Sequence, residues 1–409
     1  MKRVKIKDIC EVYDGPHATP TKIETGPIYL GIDAITEDGI LDPSQYAHLS
    51  EEDYVKWTKR VIPQENDIVF SYEATLGRYA MIPKNFYGCL GRRLAIVRII
   101  SNEINAKWLY YYFRSPEWTS FIRNHTVKGS TVDRISIEDF PEYTIPLISL
   151  KEQNKIVEVL DRIDRKIADN KKINDYLEEM AKTIYDYWFV QFDFPDEKGK
   201  PYKSSGGTFK NELPIDWYYV PISNICNILS GFPFRSVDYV VDGKYKLLTI
   251  KNVQDTGINL EVDNYINTLP ENIPDFCKLD IGNILMSLTG NVGRVGILFD
   301  SNCLLNQRVA LLQPTDSTVS PFIYCLFKSS KMSYILESLA TGTSQKNLSP
   351  VETGNIMIPY NSEIVSEFSI KVTPLINSII ANLKENNKLT NLRNWLLPML
   401  MNGQATIQD

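Results

Sequence analysis

The sequence has little of what metal, disulfide or membrane chemistry requires. Its six cysteines (Cys10, Cys89, Cys226, Cys277, Cys303 and Cys325) are scattered and form no C-x-x-C pair. That spacing excludes a disulfide scaffold and a cysteine-based zinc site, and predicts reduced, mostly buried thiols. With only His17, His48 and His125, a His-rich metal site is excluded too. No apolar run approaches the ~20 residues of a membrane span, and Met1–Ile9 is basic without the apolar stretch of a secretory signal. A cytoplasmic protein with no membrane partner is expected. No Walker P-loop is present, and no G-x-G-x-x-G opens a helix after a strand. A basic excess is missing as well: 44 Lys and Arg face 50 Asp and Glu, for a net charge of −6. Nucleic-acid affinity normally begins with a basic footprint, so any such reading has to come from organisation.

Organisation is what the chain does have. Its 409 residues, 43% hydrophobic and 23% charged, suffice for two or three domains with their own cores. Its halves match in order. Cys10 and Cys226, Gly15 and Gly231, Ser71 and Ser287, and Gly77 and Gly293 are each 216 residues apart. Arg93-Leu-Ala95 recurs as Arg308-Val-Ala310, Gly129-Ser-Thr131 as Gly342-Thr-Ser344, and Ile145-Pro146 as Ile358-Pro359. The offset drifts by only a few residues, as changes in loop length would produce. The chain is a duplication, with a period too long for a solenoid.

Each copy opens with a strand-rich domain. Tyr29–Ile32, Ile68–Ser71, Arg93–Ile99, Lys246–Ile250, Ile284–Ser287 and Arg308–Leu312 read as strands. Helical stretches follow at Lys107–Ile122 and Pro321–Leu339. This mixture predicts an α+β fold: two repeated α/β domains, each followed by a long helix. From Lys151 to about Phe189 runs a 4-3 seam of Ile156, Leu160, Ile163, Ile167, Asn170, Asn174, Leu177, Ala181, Ile184 and Trp188. The second copy repeats it 212 residues later as Phe368, Val372, Leu375, Ile379, Asn382, Asn386 and Leu389. Such seams predict helices paired as an antiparallel coiled coil. Asn170, Asn174, Asn382 and Asn386 would pin its register, since a slipped amide faces only apolar neighbours. If the pairing is pseudo-two-fold, Asn170 and Asn174 approach Asn386 and Asn382. Pro374 predicts a bend, or a helix start, in the second copy. A ~38-residue helix is roughly 57 Å long, against ~34–36 Å for a DNA turn, so the rod would serve as a ruler. The expected boundaries are a first domain at 1–150, a helix at 151–192, a linker without a core at 193–212, a second domain at 213–362 and a second helix at 363–409. In the linker, Asp196-Glu197-Lys198 reads as a solvated turn.

Several segments are recognisable. Trp188-Phe-Val-Gln-Phe-Asp-Phe-Pro195, Gly199-Lys-Pro-Tyr-Lys-Ser-Ser-Gly-Gly207, Glu212-Leu-Pro-Ile-Asp-Trp217 and Ser230-Gly-Phe-Pro-Phe-Arg-Ser236 resemble the central region of type I restriction–modification specificity subunits. Leu392-Arg-Asn-Trp-Leu-Leu-Pro-Met-Leu-Met-Asn-Gly-Gln404 is similar to that family's closing segment. The resemblance implies a non-catalytic subunit that binds double-stranded DNA through two target-recognition domains and holds two modification subunits. With them it would form an adenine-N6 methyltransferase; with restriction subunits added, an ATP-dependent endonuclease. S-adenosylmethionine, ATP and Mg would serve the partners, and this chain would bind no cofactor. In keeping with that, no Asn/Asp-Pro-Pro-Tyr/Phe loop for a flipped adenine is present, and Ile358-Pro-Tyr360 lacks the required residues. Two rivals stand beside this reading: a duplicated protein-binding scaffold, which the acidic balance favours, and an enzyme in its own right, which the missing motifs disfavour.

Base reading calls for bidentate donors and acceptors, and equivalent loops of the two copies concentrate them. Candidates are Glu73 and Arg78 against Asn291 and Arg294; Arg92 and Arg93 against Gln307 and Arg308; and Lys128 and Arg134 against Ser344, Gln345, Lys346 and Asn347. Loops near the start of each domain add His17, Thr19 and Lys22, and Phe234 and Arg235. The recurrence of Gly77-Arg78 as Gly293-Arg294 points to a shared role, a turn or a phosphate clamp. Positions that differ between copies, such as Glu73 against Thr289 or Lys128 against Thr341, are the better candidates for specificity. Trp57, Tyr110, Tyr111 and Tyr112 read as core or partner-facing residues.

Overall fold

A computed structural model describes residues 2–129, 132–342, 345–405 and 407. The chain forms two compact units, Met1–Arg165 with Leu389–Asp409, and Lys166–Lys388. Both long helices pass from one unit to the other.

In the first unit, the opening strand Lys2–Lys5 pairs antiparallel with Thr144–Leu147, which leads into the long helix. A four-stranded antiparallel sheet runs in the order Cys10–Asp14, Leu94–Ile99, Ile68–Ser71, Tyr79–Met81. Its central strands alternate side chains between two cores. Ile68, Phe70, Ala95 and Val97 face a cluster with the helices; Val69, Leu94 and Ile96 face a second cluster with Leu30, Ala34 and Ile35. Because both faces are covered, these strands read as unbroken apolar runs.

The second unit repeats the plan. Tyr218–Pro221 pairs with Met357–Tyr360, and the four-stranded sheet runs Cys226–Ser230, Val309–Pro314, Ile284–Ser287, Val295–Ile297. Ile284, Met286, Ala310 and Leu312 join one core, and Leu285, Val309 and Leu311 the other. All six cysteines are buried and free.

Each expected helical stretch divides in two. Ala106–Phe113 is capped by Asn105, whose side chain accepts from the Lys107 and Trp108 amides. Ser115 then caps Pro116–Asn124. In the second copy, Ser329 separates Ser320–Lys328 from Ser330–Leu339 and caps the latter. A serine hydroxyl that accepts from an N3 amide restarts the chain in a new direction.

The segment expected to be a linker without a core is packed. Phe194 and Leu213 are buried, Phe209–Lys210 pairs with Leu213–Pro214, and the Phe194 ring stacks at 4.7 Å on Tyr202 and 5.4 Å on Trp217. Its Pro, Gly and Ser residues form turns, while aromatics spaced along it supply the core. Asp196 closes one such turn, accepting from the Lys198 and Lys200 amides.

The first long helix, Leu150–Tyr185, starts from a reciprocal cap: Glu152 N donates to Ser149 Oγ, and Ser149 N to Glu152 Oε2. It ends in the π-helical turn Asp186–Val190, which buries Trp188 and Phe189. The second, Ser362–Met401, starts on Asn361, which accepts from the Glu363 and Ile364 amides. It runs unbroken through Pro374. Pro374 and Ile370 are on the exposed side, where solvent has access to the carbonyl whose helical donor proline removes.

The helices pair antiparallel. In the second unit Asn170 Nδ2 donates to Asn386 Oδ1 at 2.9 Å, and Asn382 Nδ2 to Asn174 Oδ1 at 2.8 Å. Asn170 also donates to Glu385, which Lys166 approaches at 3.1 Å. Those two partners hold the Glu385 carboxyl below its usual range. In the first unit Arg393 pairs with Asp164 at 2.9 Å, and Ile156 and Leu160 share a core with Leu397, Leu400 and Met401. By length and composition Ser362–Met401 is apolar enough to cross a membrane, which the count of uninterrupted apolar residues did not suggest. Its Val365, Phe368 and Val372 are fully buried in the protein core, and its seam carries asparagine.

Candidate nucleic-acid interface

Both copies build the same loop cluster at the end of the four-stranded sheet. In the first, Ser71 ends a strand and its hydroxyl donates to Thr75 O and accepts from Arg78 N. In the second, Ser287 does the same with Asn291 O and Arg294 N. Gly77 and Gly293 close these turns at φ of 74° and 76°, a left-handed conformation that favours glycine. The repeated Gly-Arg is therefore a turn that aims an arginine. Arg78 pairs with Glu37 at 2.8 Å and donates to Ile35 O; Arg294 pairs with Asp255 at 2.6 Å. The Asn291 amide faces that guanidinium. Glu37 and Asp255 are largely exposed, so these pairs hold their arginines only weakly, and a phosphate can take the acid's place.

Backbone bonds draw the other loops onto this turn. Tyr72 N donates to Arg93 O and Ile135 N to Tyr72 O; Leu288 N donates to Arg308 O and Leu348 N to Leu288 O. Glu73 bridges to Arg134, and Thr289 to Asn347. Near the start of each domain, Gly15 N donates to Leu94 O and Gly231 N to Val309 O. A Cβ on Gly15 would lie 2.2 Å from Gly91 O, and one on Gly231 2.3 Å from Asn306 O. This close approach explains why both glycines recur, and it sets the first loop beside the second.

The candidate side chains are placed as follows. Thr19, Lys22, Arg92, Lys128, Arg134, Gln307 and Arg308 are exposed. His17 is exposed and lies 3.0 Å from Asp14, which also holds Arg60 at 2.5 Å. Arg93 lies 3.6 Å from Glu73. Arg235 is exposed and paired with Asp238. Gln345, Lys346 and Asn347 are exposed, with Lys346 held by Glu337 at 2.7 Å. Asn347 spends its amide inside the cluster, accepting from Thr289 Oγ1 and donating to Gln345 O. Ser344 lies outside the described residues.

Phe234 is the correction. It is buried with Leu247, Ile266 and Leu304, so a residue expected in a base-reading loop instead fills a small core. Arg60 was missed, and so were the acids Glu37 and Asp255, because nothing near them in sequence signals a partner dozens of residues away. Tyr110, Tyr111 and Tyr112 are buried, with Tyr111 donating to Asp164 on the long helix at 2.7 Å. Among the described residues no group of His, Cys, Asp and Glu could hold a metal ion.

Comparison with known proteins gives this geometry its family. The type I restriction modification DNA specificity domain matches twice, at residues 1–179 and 214–391. The chain is 27% identical to the type I restriction enzyme MjaIX specificity subunit of Methanocaldococcus jannaschii, over 99% of this chain and 93% of that one. It is 22% identical to the HindI specificity subunit of Haemophilus influenzae, over 83% of this chain and 87% of the other. Its fold is like that of the type I restriction–modification S subunit from M. genitalium, with a TM-score of 0.55 at 17% identity over 98% of this chain and 95% of that one. Two matches to one domain model fall on the two copies of the loop cluster, and the chain belongs to the type I restriction modification DNA specificity domain family.

Proposed function

We propose that the chain is the sequence-reading, non-catalytic subunit of a type I restriction–modification complex, recognising a bipartite target with a fixed unread spacer. The observation that carries this is the pair of loop clusters. Their backbone frames are the same, down to the Ser71 and Ser287 turns, while the side chains they present differ. One frame with two sets of side chains suits the reading of two different half-sites. Residues 1–150 and 213–362 are the target-recognition domains, 151–192 and 363–409 the spacer helices, and 193–212 the connection between halves. Asn170, Asn174, Asn382 and Asn386 fix the register of the helix pair and hence the length of the spacer.

Phosphate contacts position such a protein and base contacts specify. Arg78 and Arg294, alike in identity and in setting, are the positioning pair, and the readers lie among side chains whose identity or surroundings differ between copies. Acidity of the whole chain is no obstacle where cations concentrate in loops. Chemistry belongs to partners: two modification subunits using S-adenosylmethionine, and restriction subunits using ATP and Mg, all in the cytoplasm. None of the comparisons favours the duplicated protein-binding scaffold.

The test is to co-express the full chain with a type I adenine-N6 modification subunit in a host free of DNA methylation. Single-molecule sequencing of the genome should show N6-methyladenine in one bipartite motif with a constant gap. Methylation by the chain alone, or a contiguous motif, would contradict the proposal.

A further inference from the structure

Arg93 and Arg308 are equivalent residues on one backbone frame, yet their surroundings differ. In both copies the arginine carbonyl accepts from the residue just past the neighbouring strand, Tyr72 N at 3.2 Å and Leu288 N at 3.0 Å. In both, the next residue along the chain bridges to the third loop. That next residue is what differs. Glu73 brings Oε2 to 3.6 Å from Arg93 Nε, and each side chain is 31% exposed. Arg93 Nε itself is shut off from solvent and has no hydrogen-bond partner. The guanidinium is thus tucked against the loop cluster, with its charge met by a carboxylate. Thr289 carries no charge, and its hydroxyl donates to Asn347 Oδ1 at 3.0 Å. Arg308 is exposed, and among the described residues no carboxylate lies within ion-pair distance of it.

We propose that position 73, and its counterpart 289, decides whether the loop arginine is offered to DNA. Arg308 reads a guanine in the half-site of the second domain, while Glu73 withholds Arg93, so the first domain does not require guanine at the matching step. The chemistry is that of the guanidinium fork. A free fork donates two parallel bonds to guanine O6 and N7 in the major groove. At 3.6 Å the Glu73 carboxylate takes no hydrogen bond from Arg93, but its charge weakens the pull on a base, and the buried Nε is lost from the donor edge. The loop around Arg308 is held firm enough for such a contact. Ser230 Oγ donates to Gln307 O at 2.9 Å, and Gln307 N donates to Phe232 O at 3.1 Å.

The proposal rests on the chain being a DNA specificity subunit, and its test separates the two claims. The full chain and two variants, Arg308→Gln and Glu73→Gln, are each co-expressed with the methyltransferase in a methylation-free host, and the methylated motif is sequenced. Arg308 is exposed and Glu73→Gln keeps its shape, so thermal melting of the purified complexes should match wild type. Arg308→Gln should relax one guanine of the second half-site, lowering discrimination there roughly 5- to 100-fold, with the first half-site and the gap unchanged. Glu73→Gln should add a guanine preference at one position of the first half-site only. If Arg308→Gln lowers methylation evenly without altering any base, or Glu73→Gln leaves the first half-site as it was, the proposal is overturned. A wild-type complex with no bipartite motif would overturn the functional reading, and the proposal with it.

Discussion

Arg78 and Arg294 recur in sequence and also in setting: each follows a left-handed glycine, has its amide on a strand-ending serine and leans on an exposed acid. A residue kept the same in both copies, in identity and in setting, suits phosphate, which is the same everywhere on DNA. Arg294→Ala should therefore weaken binding of the assembled complex about equally on target and non-target duplexes. The slope of log affinity against log salt should fall by about one unit. Fluorescence anisotropy over a salt series checks this, and a change in the preferred bases would instead make Arg294 a reader. At this scale the sequence was only partly legible. The Gly-Arg turns could be seen because they are duplicated, whereas the burial of Phe234 and the pairing of Asp14 with Arg60 depend on contacts between distant segments.

At the scale of elements, the long helices were the most legible part, because a 4-3 seam of ten positions leaves little choice of structure. The same pattern located the asparagines, and the structure pairs Asn170 with Asn386 and Asn174 with Asn382. Less legible were the breaks at Ser115 and Ser329, where a hydroxyl cap interrupts a continuous apolar pattern, and the aromatic packing of the 193–212 segment. Asn170 is fully buried, so Asn170→Ala leaves the Asn386 amide short of a partner and should cost about 1–3 kcal/mol of unfolding free energy in urea denaturation. Replacing all four asparagines with leucine should instead raise stability while loosening register. Disulfide trapping of a cysteine at 171 against cysteines placed in turn at 378 and 385, one heptad apart, would then give cross-links at both. A single alignment in the leucine variant would contradict the register role.

For the whole molecule, the duplication carries both halves of the account. What repeats is the frame: sheet, turn, capped helices and asparagine seam. What differs is the set of side chains on the loops. Legibility followed the same division, since repeated features stand out against their own copy, whereas no code maps divergent loops to bases. The central claim is that helices of fixed length set a gap that no residue reads. The most direct test adds one helical turn to both long helices at matching seam positions and sequences the methylated motif of the resulting complex. The expected result is the same two half-sites with a longer gap between them. Altered half-site bases with an unchanged gap would contradict it.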